Sequence, residues 1–221
     1  GILPPQKSRE FAKKVNDAGY SVIKTKGGRN WKEDVDRIIA INDEVDGELE
    51  IRVDPNQGWT LEEAVRFAAK LEDKGVYLQY MEQPIRVNNH SSLAKLRERT
   101  KQPVAANEDT YIKHNLKSMT KKDAIDVAVI DLTPLGGITG LRQAAGIIEE
   151  AGLSSVHHCA FDLGIRTAAI LHSVYGIPGF NLPMDTVYYG WKEDVLEKPF
   201  EIDNGKMTVP NSPGLGIDVD I

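Results

Sequence analysis

A single cysteine, Cys159, stands among 221 residues, so no disulfide can form within the chain. That excludes a disulfide-stapled secreted scaffold and fits a reducing compartment. No stretch approaches the 18 or more apolar residues of a helical membrane span. The opening GILPPQKSREFAKK lacks the apolar core of a signal peptide. Basic residues number 27 against 33 acids, and with a net charge of −6 and no Lys/Arg-rich stripe the chain carries no nucleic-acid footprint. What remains is 41% hydrophobic and 27% charged, the composition of one globular domain with a substantial core. A cytoplasmic enzyme acting on a small molecule, with no membrane or nucleic-acid partner, is the expectation.

Strand-like and helix-like pieces alternate along the chain. The β-branched run Tyr20 to Lys26 (YSVIKTK) stops at Gly27-Gly28. A helix-spaced stretch follows from Trp31 to Asn42, with Val35, Ile38 and Ile39 on one side. Leu49 to Asp54 reads as a strand, and Thr60-Leu-Glu-Glu63 is a capping box opening a helix that stops at Gly75. Val76 to Glu82, Val104 to Asn107, Val127 to Asp131 and Ser154 to His158 repeat the strand pattern, and Phe180 to Asp185 adds a seventh. Helices are expected over Ser91 to Arg99, Gly140 to Ala151 and Gly164 to Tyr175. This α/β alternation with short connections fits a (β/α)₈ barrel lacking its first strand, residues 1–221 forming one partial catalytic domain. A doubly wound sheet is the alternative, although no Gly-rich phosphate loop follows an early strand. The tail FEIDNGKMTVPNSPGLGIDVDI reads as irregular or hairpin structure turning at Asn204-Gly205.

The residues with chemistry sit at the expected strand ends. Asp54 (IRVDPNQGW), Glu82 (YLQYMEQPI) and Glu108 (PVAANEDTY) each follow a short apolar run. In a parallel barrel the C-terminal strand ends open on one side, so three such carboxylates converge and repel unless a divalent cation lies between them. Asn107 and Asp109 compete with Glu108 for the third place. Lys24 and Lys26 lie two apart and share a face aimed at the barrel mouth, which suits an anionic ligand or a base; a solvated strand edge is the plainer reading of Lys-x-Lys. Asn56 shares a face with Asp54. Asp131 and His158 end adjacent strands, where a carboxylate beside an imidazole orients a general acid or base. His157 points the other way and is expected to be structural, while His90, His114 and His172 lie in loop or helix contexts.

The ordered set IKTK, VDPNQ, MEQP, ANED, VIDLTPLGGITG and SSVHH resembles the barrel domain of the enolase superfamily, in the mandelate racemase and muconate lactonizing branch. The Lys-x-Lys and Asp–His pattern is similar to the mandelate racemase subgroup, since muconate-type members usually carry a lysine in place of Asp131. The resemblance implies that Asp54, Glu82 and Glu108 bind Mg²⁺, that Lys26 is one base with Lys24 beside it, and that His158, partnered by Asp131, is the opposite base. It further implies a homo-oligomer and an N-terminal capping domain, absent from this chain, that closes over the site.

The departures shape the expected reaction. Mandelate racemase has a last-strand glutamate, whereas here the stretch GFNLPMD offers only Asn181 or Asp185, and Asp162 in FDLGI is another acidic candidate for substrate contact. Abstraction of the α-proton of a carboxylate through an enediolate is the implied chemistry. Dehydration of a sugar-derived hydroxy acid is the favoured outcome. Racemisation, epimerisation or cycloisomerisation of a 2-substituted acid is the alternative, and a non-catalytic carboxylate-binding barrel is another.

Overall fold

The computed structural model describes residues 1–220. Six strands form one parallel sheet in chain order: β1 (Val22–Lys26), β2 (Glu50–Asp54), β3 (Tyr80–Glu82), β4 (Val104–Ala106), β5 (Val127–Ile130) and β6 (Ser154–His157). Helix α1 (Pro5–Asp17) precedes the sheet, and α2 (Trp31–Val45), α3 (Leu61–Glu72), α4 (His90–Glu98), α5 (Lys113–Lys121) and α6 (Gly137–Glu150) connect successive strands. Helix α7 (Gly164–Gly176) follows β6. Each strand pairs only with its sequence neighbours, as in part of a (β/α) barrel. A doubly wound sheet would reverse strand order at a switch point, and this one does not.

Local chemistry sets the helix ends. Pro5 opens α1, where its missing N–H costs nothing. The Asn30 side chain accepts from the Lys32 N–H at 3.1 Å to start α2. Thr60 and Glu63 cap each other's backbone at the start of α3. Gly28, at φ 97°, is required by a close approach: a Cβ there would lie 2.1 Å from the Pro55 oxygen. The loops after β1 and β2 are thereby clamped together.

The two sheet faces have different partners. Ile23, Val53, Met81, Ala106 and Ile130 join the large core shared with the helices. Tyr80, Ala105, Val127, Val129 and Val156 form a smaller cluster on the opposite, interior face, against which Leu182 packs.

Three expectations need correction. Phe180 to Asp185 is not a strand: it has one parallel bridge, Phe180 to Ser155, and long 3.4 Å contacts to β6. Pro183 has no N–H to donate, its oxygen is taken by Arg52 at 2.9 Å, and the Asn181 side chain replaces the backbone in bonding Ser155 N–H at 3.0 Å. The third strand is three residues long, because the Leu78 N–H is satisfied by the Gln102 side chain at 2.8 Å. Glu108 does not end β4; it opens a 3₁₀ turn, Glu108–Tyr111. Helix α5 was not anticipated, since KHNLKSMTK buries only Leu116 and Met119 and gives little apolar periodicity. The Asn204-Gly205 turn is present, with φ of 50° and 68° and an Asp203–Lys206 bridge.

Candidate active site

Strand parity carries the site. Alternate residues share a face, so two residues beyond the interior cluster lie Glu82 (from Tyr80), Asp131 (from Val129) and His158 (from Val156). On β1 and β2 the same parity selects Lys24, Lys26, Arg52 and Asp54. Register then sets their neighbours: Lys26 stands opposite Asp54, and Lys24 opposite Arg52. Parity on β4 points to Asn107, whose side chain is spent on the Val129 oxygen at 3.0 Å, so Glu108 reaches the site from the following turn.

The lysine side of the site is a dense ion-pair network. Lys24 Nζ lies 2.8 Å from Asp185, 2.7 Å from Glu82 Oε2 and 3.5 Å from Asp54. Lys26 Nζ is 2.5 Å from Asp54. Arg52, 1% exposed, donates to Asp185 at 2.7 Å and to Gln79 at 2.6 Å, and lies 4.8 Å from the Tyr80 ring centre. Burial works against the charge on Lys24, but Asp185, Glu82 and Asp54 outweigh it and hold its pKa well above the lysine value. Burial also opposes the charges on Asp54 and Asp185, yet Lys24 with Lys26 or Arg52 keeps both low. Glu82 goes the other way: burial pushes it up to about 8, with Asp54 and Asp185 adding to the rise and Lys24 opposing it.

The same acids also act on Tyr111. Its pKa is pushed up to about 12, first by burial and then by Asp131, Glu108, Glu82 and Asp54. Carboxylates at the ends of β2 and β3, in the turn after β4 and just after β5 therefore all act on one phenol. Its hydroxyl donates to Asn107 Oδ1 at 3.2 Å.

The donor set of Asp54, Glu82 and Glu108 fits a hard divalent cation. It is made of oxygen alone. Glu108 Oε2 is buried without a hydrogen-bond partner, and Glu82 Oε2 makes no hydrogen bond despite lying near Lys24. The other Glu108 oxygen accepts from Gln57 Nε2 at 2.9 Å. Among the described residues no three His, Cys, Asp or Glu side chains stand close enough to share an ion as arranged. Lysines hold Asp54 and Glu82, and Gln57 holds Glu108.

The histidine side is separate. His158 Nδ1 lies 3.0 Å from Asp131 Oδ2. Asp131 Oδ1 accepts from Thr133 N–H at 2.8 Å and from Arg166 at 2.7 Å. Burial disfavours the Asp131 charge, but His158, Thr133 and Arg166 outweigh it and bring its pKa down to about 2. His157 is fully buried; it accepts the Leu132 N–H at Nε2 (3.2 Å), so its Nδ1 carries the proton donated to the His158 oxygen at 2.6 Å. Burial, opposed by Asp131, brings its pKa down to about 4.

The remaining sequence candidates are placed differently. Asn56 is exposed, with its N–H on Asp54 at 2.9 Å. Asp162 is buried and engaged by Arg166 and the Ala160 N–H. Asp185 is spent on Lys24 and Arg52. The sequence reading missed Arg52, Gln57, Tyr111 and Arg166. Arg52 was detectable as the residue two before Asp54 on the same face; nothing local marks the others. Behind Lys26, Asp34 (1% exposed) receives Gly28 N–H at 2.8 Å, the Trp59 indole at 3.2 Å and Arg37, fixing the loops after β1 and β2.

A family model described as enolase C-terminal domain-like matches residues 7–221. Arabinonate dehydratase of Saccharolobus solfataricus is 29% identical over 199 residues, covering 90% of this chain and 52% of the relative. L-Ala-D/L-Glu epimerase of Thermotoga maritima is 31% identical over 209 residues, covering 95% and 60%. The chain thus spans between half and three-fifths of the length of these relatives. An enolase from Gibberella zeae, solved in complex with magnesium, formate and sulfate, superposes with a TM-score of 0.87 at 29% identity, covering 99% of this chain and 51% of that one.

Proposed function

The chain belongs to the enolase C-terminal domain-like family of the enolase superfamily, and on that premise we propose that it carries the catalytic barrel of an enzyme removing the α-proton of a small carboxylate. The observation that carries this reading is that two candidate bases, Lys26 on β1 beside Asp54 and His158 after β6 beside Asp131, flank Glu82 and Glu108, each of which has a buried oxygen without a hydrogen-bond partner.

Asp54, Glu82 and Glu108 would hold Mg²⁺, the ion named with the Gibberella zeae relative. Bound there, it would stabilise the second negative charge that develops when the carbon beside a carboxylate loses its proton. Ligation at Asp54 and Glu82 requires Lys26 and Lys24 to give way, whereas Glu108 can offer its free Oε2 with Gln57 still on Oε1. Lys24, once freed, faces the substrate carboxylate as a fixed positive charge. Lys26 and His158 act as acid and base on the two faces of the substrate. Asp131 keeps the His158 Nδ1 proton in place and leaves Nε2 to exchange a proton with the substrate.

The favoured reaction is dehydration of a sugar-derived hydroxy acid. One base takes the α-proton, the other protonates the departing β-hydroxyl, water leaves, and the resulting enol becomes a 2-keto acid. The arabinonate dehydratase relative supports it, and so does the lack of a glutamate in GFNLPMD, where Asp185 is engaged by Lys24 and Arg52. The epimerase relative supports the second reading, in which the far base returns a proton to the α-carbon with inversion. Incubation of the complete protein with aldonic and aldaric acids in D₂O separates them. A 2-keto acid is expected; deuterium at C2 with inversion and no keto product would overturn dehydration in favour of epimerisation. A cytoplasmic homo-oligomer closed by an N-terminal capping domain completes the proposal.

A further inference from the structure

We propose that Arg166 is a positioning residue for His158: it clamps the Asp131 carboxylate in the orientation that keeps the His158 Nδ1 proton on Asp131 and turns Nε2 toward the substrate. The inference rests on the reading of His158 as a base.

The geometry is a chain of four side chains from three elements. Asp131 follows β5, His158 follows β6, and Arg166 lies in the first turn of α7. A carboxylate gripped at one oxygen can rotate about its Cβ–Cγ bond and leave its partner. Here Oδ2 meets His158 at 3.0 Å, while Oδ1 accepts from Thr133 N–H at 2.8 Å and Arg166 Nη2 at 2.7 Å. Rotation would break all three contacts.

Arg166 is itself anchored. Its other terminal nitrogen, Nη1, pairs with Asp162 one helical turn earlier, and Asp162 Oδ2 accepts the Ala160 N–H at 3.2 Å. A planar guanidinium can bridge two carboxylates in a fixed geometry, which a lysine ammonium cannot. The Arg166 Nε–H is buried with no partner. The side chain is therefore placed by its two carboxylates, one of which touches the base. Burial tilts Asp131 toward protonation and the three donors reverse it, so the clamp also preserves the acceptor that His158 requires. The lysine side has no equivalent: Lys26 is held by Asp54, a candidate metal ligand, and by no dedicated partner.

The test uses diethyl pyrocarbonate, which acylates neutral imidazole, with sites mapped by mass spectrometry in the full protein. His114, exposed on α5, is the internal reference. In Arg166→Ala the Asp131 carboxylate is free to rotate off Nδ1 and no longer favours imidazolium, so the His158/His114 labelling ratio at pH 6 should rise by about twofold. Added methylguanidinium should restore it, and methylammonium should not. An unchanged or lowered ratio, or a rise that methylguanidinium does not reverse, overturns the proposal. If Arg166→Ala fails to fold, the structure of Arg166→Lys decides: Asp131 turned away from His158 supports the clamp, and an intact contact overturns it. Full turnover in His158→Asn would instead sink the base reading, without altering the labelling result.

Discussion

The two sides of the candidate site handle their charges in opposite ways. On the β1–β2 side, Lys24 is shared among Asp54, Glu82 and Asp185, while Asp54 also holds Lys26 and Asp185 also holds Arg52. On the β5–β6 side, His158 has one carboxylate of its own, and that carboxylate is held by an arginine anchored in turn on Asp162. A shared network can be rearranged by a ligand, because releasing one contact leaves others to compensate. A dedicated chain holds a single geometry. The contrast assigns adaptability to the lysine side, where a cation and a substrate carboxylate would enter, and fixed orientation to the histidine side.

The sharpest way to break this contrast is to remove one base from each side. Lys26→Ala and His158→Asn should each lower turnover by about 10²–10⁴-fold, measured as product formation on the substrate found in the acid panel. Each variant should still exchange the α-proton on the face its surviving base reaches. Full activity in either would remove that residue from the mechanism.

Acid stability probes the histidine side alone. His157 is neutral in the fold, with a pKa brought down to about 4 by burial against an ordinary 6.5. The unfolded chain takes up the proton first as pH falls, so this contribution is complete above about pH 6.5 and is lost between there and pH 4. The difference amounts to about 3 kcal/mol at the low end. Urea midpoints at pH 7 and pH 4 should show a smaller acid loss in His157→Gln than in the parent. Equal losses would mean that His157 does not carry the effect.

Metal addition probes the lysine side. Mg²⁺ at about 100 times its dissociation constant should add about 2.7 kcal/mol of stability, read as a rise in Tm. Glu82→Gln and Glu108→Gln should abolish the rise and His158→Asn should keep it. A rise that survives both glutamate changes would place the ion elsewhere. A structure with Mg²⁺ should show all three carboxylates at about 2.0–2.1 Å from it.

The smallest effect tests whether stability and site can be separated. Thr60→Ala removes the capping box of α3, outside the site, and should cost about 1 kcal/mol. Turnover should be unchanged where the variant is folded. A loss of rate would show that α3 transmits to Asp54.

Much of this was legible in the chain. The alternation of strand residues puts Lys24 and Lys26 on one face, and in β1 both are half-buried while Ile23 and Thr25 are buried on the other. Asp54 and Glu82 were placed at strand ends, and they end β2 and β3. The Asp131 and His158 ends were adjacent because consecutive strands neighbour each other in a parallel barrel. Glu108 was misplaced because β4 gives out one residue early and a 3₁₀ turn brings it in. Phe180 to Asp185 has strand composition, but side chains of Arg52 and Asn181 take the places a ladder would fill. Arg166 carried no signal, since an arginine in the first turn of an amphipathic helix is ordinarily a solvated charge.

By itself the sequence determined the alternation of strand and helix, the capped and glycine-stopped helix ends, and which residues of each strand share a face. These follow from spacing along the chain, through the periods of two and 3.6, and from side chains within a few residues of the backbone groups they satisfy. Only the tertiary structure decided which charges meet. Lys26 finds Asp54 because the β1–β2 register sets them opposite, and Lys24 finds Asp185 across 161 residues because the sheet curls the last segment back to the first strand. Electrostatic partners depend on distances through space and on what is excluded from water between them, and neither is a property of neighbouring letters.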